Sequence, residues 1–219
     1  DTINVNVTDS TNVTLGDEGA NLLISTGKTA TINATAADDD KLLTLTGAGS
    51  AVVTGLVADI DADGGSVDGT TQSALAGTLN VTTDDGTVSA EADTIAIATG
   101  TNDTTVVASD GADTVNINAE AMADDKTLTL SGAADVDVSN VMADVTSTLT
   151  GRLTVTLDDD DLTDSDPAAG VSTTISSSGA VGRAVVNSGS FDTDDTVVLG
   201  GSDTINVNVT DSTNVTLGD

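Results

Sequence analysis

Asp59-Ile60-Asp61-Ala62-Asp63-Gly64-Gly65 sets three carboxylates at alternate positions ahead of a glycine pair. Carboxylates spaced in this way can converge on one hard cation such as Ca2+, and the glycine permits the sharp turn that closes the loop. Asp68 is placed to supply a late ligand. The twelfth position is Thr70, where a calcium loop usually carries glutamate, and no helical pattern flanks the segment. A solvated polar turn is the other reading of the same residues.

Further candidates follow the same logic. Asp158, Asp159, Asp160 and Asp161 are consecutive, with Asp164 and Asp166 close behind. Four adjacent carboxylates repel one another unless a cation lies among them or water solvates each of them. Asp192, Asp194 and Asp195 form a smaller group, as do Asp110 with Asp113 and the run Asp38-Asp39-Asp40. Asp84-Asp85-Gly86 reads as a tight turn.

Composition bounds the remaining chemistry. The chain has 219 residues, 36 acidic and 5 basic, for a formal net charge of −31. The acid is almost all aspartate, the residue whose short carboxylate suits turns and oxygen-ligand cages, while glutamate occurs only at positions 18, 91 and 120. Such a charge is self-repelling, and divalent counter-ions relieve it. The absence of Cys removes disulfides and thiolate metal sites, and the absence of His removes an imidazole base. Lys28, Lys41, Lys126, Arg152 and Arg183 are scattered, so no basic surface for nucleic acid is expected. No apolar run reaches the roughly 20 residues that span a bilayer. Without a cationic cluster or a base, catalysis is not expected.

The elements that must carry these residues read as short strands. Val-, Ile- and Thr-rich runs such as Ile3–Val7, Thr29–Thr35, Lys41–Thr46, Ala51–Val57, Thr94–Ala98 and Thr114–Ala119 are punctuated by Gly and Asp. The best helical window, Ala119–Asp124, is short. Two architectures fit: a β-solenoid and tandem β-sandwich (Ig-like) domains. A sandwich usually buries aromatic residues between its sheets, whereas Phe191 is the single aromatic residue here. A solenoid stacks small and β-branched residues on their own kind. The expectation is therefore an all-β, parallel β-helix-like solenoid, with two strands per rung and nine or ten rungs.

Repetition sets the domain organisation. Residues 1–17, DTINVNVTDSTNVTLGD, recur letter for letter as residues 203–219. Residues 1–202 then read as one period of a tandem array and 203–219 as the start of the next, so a glutamate matching Glu18 is expected after Asp219. A weaker repeat relates Ile32–Gly47 to Ile117–Gly132, with 11 of 16 positions identical. Another pairs Gly77–Asp85 with Gly151–Asp159.

Gly200-Gly201-Ser202-Asp203-Thr204-Ile205 resembles the glycine-aspartate nonapeptide of RTX proteins, and Ser109–Val115 is a looser version. The texture of LTLTG, LAGTLNVTTDDG and TIAIATGTNDT resembles the Thr/Val/Asp strand repeats of bacterial S-layer proteins and giant secreted adhesins. The resemblance implies a calcium-dependent protein that is extracellular, secreted or at the cell surface. The function expected is a structural repeat module of a fibre, sheath or S-layer-like assembly stabilised by Ca2+, whose partners are copies of itself and calcium ions. The alternatives are a spacer in a large adhesin and an ice-binding solenoid, the latter on the strength of the pairs Thr44-Thr46, Thr127-Thr129, Thr148-Thr150 and Thr154-Thr156.

Overall fold

The computed structural model describes residues 2–67, 70–86, 92–158, 172–179, 184–189, 195–209 and 214–217. The described residues are all-β. In chain order the strands begin with β1 (Thr2–Val7), β2 (Thr11–Thr14), β3 (Gly19–Ile24), β4 (Thr29–Asn33), β5 (Leu42–Thr46) and β6 (Ser50–Leu56). They continue with β7 (Asp59–Asp61), β8 (Gly64–Val67), β9 (Thr70–Ser73), β10 (Leu79–Thr83), β11 (Thr94–Ala98) and β12 (Thr104–Ala108). Then come β13 (Thr114–Asn118), β14 (Thr127–Gly132), β15 (Asp135–Val141), β16 (Asp144–Leu149) and β17 (Leu153–Leu157). The last are β18 (Ser172–Ser177), β19 (Ala184–Asn187), β20 (Thr196–Gly201), β21 (Ile205–Asn208) and β22 (Asn214–Leu217).

The chain visits two sheets alternately. One ten-stranded parallel sheet has the order β1-β3-β5-β7-β11-β13-β15-β17-β19-β21, and the other has β2-β4-β6-β10-β12-β14-β16-β18-β20-β22. Each rung is thus one strand from each sheet, and the molecule is a β-solenoid. A two-stranded antiparallel hairpin, β8–β9, is inserted in the fourth rung between β7 and β10.

Alternation decides which residues fill the interior. In β13 the pattern is exposed or half-buried at Thr114, Asn116 and Asn118 and buried at Val115 and Ile117. Parallel pairing stacks these inner residues on their equivalents, so Ile60, Ile97, Ile117, Val138, Val155, Val186 and Val207 form one continuous column. The facing sheet stacks Ala51, Leu79, Thr104, Leu128, Val145, Ile175, Leu199 and Leu217. Each aliphatic side chain buried in these columns contributes roughly 2 kcal/mol by leaving water, whereas Leu217 in the last rung is exposed. A single rung has only another rung to bury against, so the core exists only as a stack.

Outward-facing amides form ladders between rungs. Asn21 Nδ2 donates to Asn4 Oδ1 at 2.8 Å, Asn140 Nδ2 to Asn118 Oδ1 at 2.9 Å and Asn208 Nδ2 to Asn187 Oδ1 at 2.9 Å. Asn140 lies in a bulge of β15, with φ of 57°, and the bulge lets Val138 and Val141 both face inward. At the corner after β14, Gly132 has φ of 115°, and a Cβ there would lie 2.0 Å from the carbonyl oxygen of Ala108 in the rung below. No other residue fits that position.

One expectation changes. Ala119–Asp124 is not a helix but a corner, closed by Met122 N donating to Ala119 O at 2.9 Å. Asp84-Asp85-Gly86 follows β10, and the Thr87-Val88 strand expected after it lies outside the described residues. The β8–β9 hairpin follows Asp63, where its Gly-rich sequence showed no clear alternation.

Candidate functional site

Two regions gather the residues that could act: the acidic groups along the rod, and the rungs at its two ends.

The segment Asp59–Asp63 begins as a strand. β7 buries Ile60 and turns Asp59 and Asp61 outward on one face of the sheet. Asp59 Oδ1 accepts the Ala96 amide at 2.8 Å, so this carboxylate bridges to the next rung. Asp61 lies in register with Thr44 of β5. The hairpin touches β5, with β8 beside it and Ala74 bridged to Thr46, which accounts for the burial of outward-facing Thr44 and Thr46. Asp61 sits at this crowded place. Its Oδ1 is buried without a hydrogen-bond partner, and its carboxyl is pushed up to about 6 by burial first and then by the hydrogen bond and charge of Asp63. The structure therefore brings Asp61 and Asp63 together. Asp68 lies outside the described residues.

A second acidic group forms at a corner. Asp113 is 3% exposed, accepts the Asp93 amide on Oδ1 at 3.0 Å and donates its own amide to Asp110 O at 3.2 Å. Burial raises its pKa above the usual carboxylate value, against the Asp93 hydrogen bond, and Asp110, Asp93 and Asp84 add to the rise by repulsion. Asp84 Oδ2 accepts the Gly86 amide at 3.2 Å, and a Cβ at Gly86 would lie 2.5 Å from Asp110 Oδ2. Asp110 and Asp113 were legible as a pair. Asp84 and Asp93 join them from separate stretches of chain, which no local spacing signals.

The other candidates are more dispersed. Asp158 ends β17's rung edge, its amide donating to Val141 O at 3.0 Å, while Asp159, Asp160 and Asp161 lie outside the described residues. Asp195 is buried at the start of β20, and Asp192 and Asp194 lie outside the described residues. Among the described residues no three acidic side chains converge closely enough to hold a metal ion. A calcium cage needs six to eight oxygens. Among the described residues the carboxylates of Asp61 and Asp63 meet as a pair, short of such a cage.

The four cations among the described residues are each matched to a carboxylate. Lys28 pairs with Asp9 at 3.0 Å, Lys41 with Asp40 at 2.7 Å, Lys126 with Asp125 at 2.8 Å and Arg152 with Asp137 at 3.2 Å. A groove of about 400 Å³ on the outer face of the first sheet is floored by Ala96 and Ala98 and edged by Asp59, Asn116, Asn118 and Asp137. Asp137 Oδ1 is buried there without a partner. The groove's polar lining is carboxylates, amides and hydroxyls, with no cation among its residues. The Thr-x-Thr pairs are divided between the sheets: Thr127-Thr129 and Thr148 belong to the second, Thr44-Thr46 and Thr154-Thr156 to the first.

The ends carry the most specific arrangement. Residues 3–6 lie in β1 and their copies, 205–208, form β21; residues 12–14 lie in β2 and their copies, 214–216, in β22. The first copy shows what its upper side accepts: Ile3 pairs with Ala20, Asn4 with Asn21 and Val5 with Leu22. The second shows what its lower side rests on: Ile205 pairs with Ala184, Asn206 with Val185 and Val207 with Val186. In the other sheet Val13 lies under Ile32, and Val215 lies over Val197. One segment thus has a matched neighbour above in one copy and below in the other, with inner residues on inner residues throughout.

Compared with known proteins, the chain matches no family model, no curated protein and no solved structure.

Proposed function

We propose that this chain is a structural module: a stretch of a longer tandem β-solenoid that builds an extracellular fibre, sheath or S-layer-like layer. The observation that carries the reading is the repeated end rung. Superposing the two copies gives a rung with Val186 below its valine and Leu22 above it. A chain that continued past Asp219 as it continues past Asp17 would add rung on rung with no break in the core. Each period would lengthen the rod by about 45 Å, at ~4.8 Å per rung. An array of this kind covers each open strand edge with the next period, so unpaired edges remain only at its termini.

Calcium is the second part of the proposal. A chain of net charge −31 that stacks into a rod brings like charges together. Ca2+ shared between carboxylates such as Asp61 and Asp63 would relieve that repulsion without a preformed cage. The mechanism is mechanical: the stacked core resists extension, amide ladders hold the register, and the cation neutralises the surface.

A chain of two periods, residues 1–202 followed by 1–219, tests the first part by negative-stain imaging. One straight rod about twice as long as the single period is expected, and two bodies joined by a flexible link would refute continuity. Ordered filaments or sheets favour the fibre or layer, while isolated rods favour a spacer within an adhesin. Melting with and without EDTA tests the second part; an unchanged midpoint removes calcium from the account.

A further inference from the structure

We propose that two rods of this protein pair side by side through the outer faces of their second sheets, so that the fibre unit is a closed double rod. This rests on the structural-module reading and names its partner as a second copy of this chain.

Parallel register sets one column of outward side chains along that face: Thr31, Val52, Asn80, Thr105, Thr129 and Thr146, each opposite the next. A second column, two residues further along each strand, runs from Asn33 through Thr82 to Thr148. These residues are exposed or half-buried. Across β4, β6, β10, β12, β14, β16 and β18 the one charged residue is Asp144, at the first position of β16, and its Oδ1 accepts the Thr174 amide at 2.7 Å. This is a neutral surface on a chain of net charge −31.

The first sheet has no equivalent. Its strands carry Asp59, Asp61, Asp135 and Asp137, and the β8–β9 hairpin lies against β5 on its outer side. Corners carry further carboxylates, among them exposed Asp103 and Asp125. Among the described residues, then, the second sheet is the side on which another strongly acidic body can approach without setting carboxylate on carboxylate. A second copy meets that condition by presenting the same neutral face. Small hydroxyls and methyls interdigitate when like columns meet. Identical faces meet about a two-fold axis, so the contact closes at two rods instead of spreading into a layer.

The area sets how strongly they pair. Seven strands ~4.8 Å apart, each about five residues long, present a face of roughly 34 Å by 17 Å, so pairing hides about 1,100 Å² from the two partners together. That is the lower edge of a specific interface. Each further period adds the same area, so pairing strengthens with array length. The acidic corners flank the seam, which makes pairing depend on Ca2+ or on salt that screens them.

The two-period chain, residues 1–202 followed by 1–219, provides the test. In Ca2+ or screening salt, light scattering should show its mass doubling with concentration and rising no further, with weaker doubling for the single-period chain. T129E in each period places an unpaired charge in the middle of the face and should weaken pairing by about tenfold or more. N116E, the same charge change on the outer face of the first sheet, should leave pairing unchanged. A chain that images as one straight rod yet stays single at every concentration overturns pairing and leaves the stacked module standing. Equal weakening by the two variants, or growth past two rods into sheets, also overturns it. A single rod that shows thermal hysteresis assigns the face to ice and overturns it likewise.

Should T129E fail to fold by circular dichroism, single-cysteine chains decide, since the protein has no cysteine of its own. A short bis-maleimide should join T129C chains faster than N116C chains, and equal rates overturn the proposal.

Discussion

Asp61→Asn separates the cost of an ionised Asp61 from the rest of the chain's acidity. In the folded protein this carboxyl titrates at about 6 rather than 3.8, a rise of about two units caused mainly by burial and then by Asp63. Two units correspond to about 3 kcal/mol in a fully buried site. Asp61 is only half-buried, and solvent screening brings the expected effect down to about 1 kcal/mol. A folded pKa above the unfolded one means that the folded state holds the proton more tightly. The contribution is therefore complete below pH ~4 and is lost as pH rises through about 6. Asparagine carries no charge at any of these pH values, so D61N avoids that loss. Urea unfolding of both proteins in EDTA should show D61N gaining about 1 kcal/mol on the wild type between pH 4 and pH 7.5. Calcium added at pH 7.5 should then favour the wild type, which has the Asp61–Asp63 pair to bridge, over D61N, which has lost half of it. Parallel pH profiles would refute the account of Asp61, and equal stabilisation of both proteins by calcium would remove this pair as a place where the cation acts.

Three further outcomes follow from the stack. Ile97→Ala opens a cavity between Ile60 and Ile117 in the inner column and should cost about 3 kcal/mol by denaturant unfolding. Gly132→Ala meets both a φ of 115° and the Ala108 carbonyl and should cost at least ~2 kcal/mol, while Gly16→Ala, with open space around its Cβ, should be near neutral. Asn118→Ala removes the acceptor for the Asn140 side chain at 2.9 Å and for the Glu120 amide at 3.1 Å, and should lose about 1–2 kcal/mol, read as a lower urea midpoint with an unchanged slope.

The inner repeat shows how far sequence reasoning reaches. Ile32–Gly47 and Ile117–Gly132 were legible as one repeated unit, and each copy contains a strand end, a corner and a strand. In the first copy the unit runs from β4 of the second sheet to β5 of the first; in the second it runs from β13 of the first sheet to β14 of the second. The same residues serve on either side because each sheet offers one inward and one outward face, and alternation reads identically on both. The Asp59–Asp63 loop shows the opposite limit. Its carboxylate spacing was plain, but a strand turns alternate residues to one face, and the hairpin placed beside β5 decided which oxygen was left dry.

The residue sequence by itself determined that this chain would be a stack of short parallel strands. Its lack of bulky side chains, its β-branched alternation and its duplicated ends leave few other ways to build an interior. Which rung rests on which, which carboxylates meet across rungs and what each end can receive were decided only in three dimensions. Those relations join residues roughly 17 to 37 positions apart, a separation set by irregular corners and one inserted hairpin that carry no periodic signal of their own.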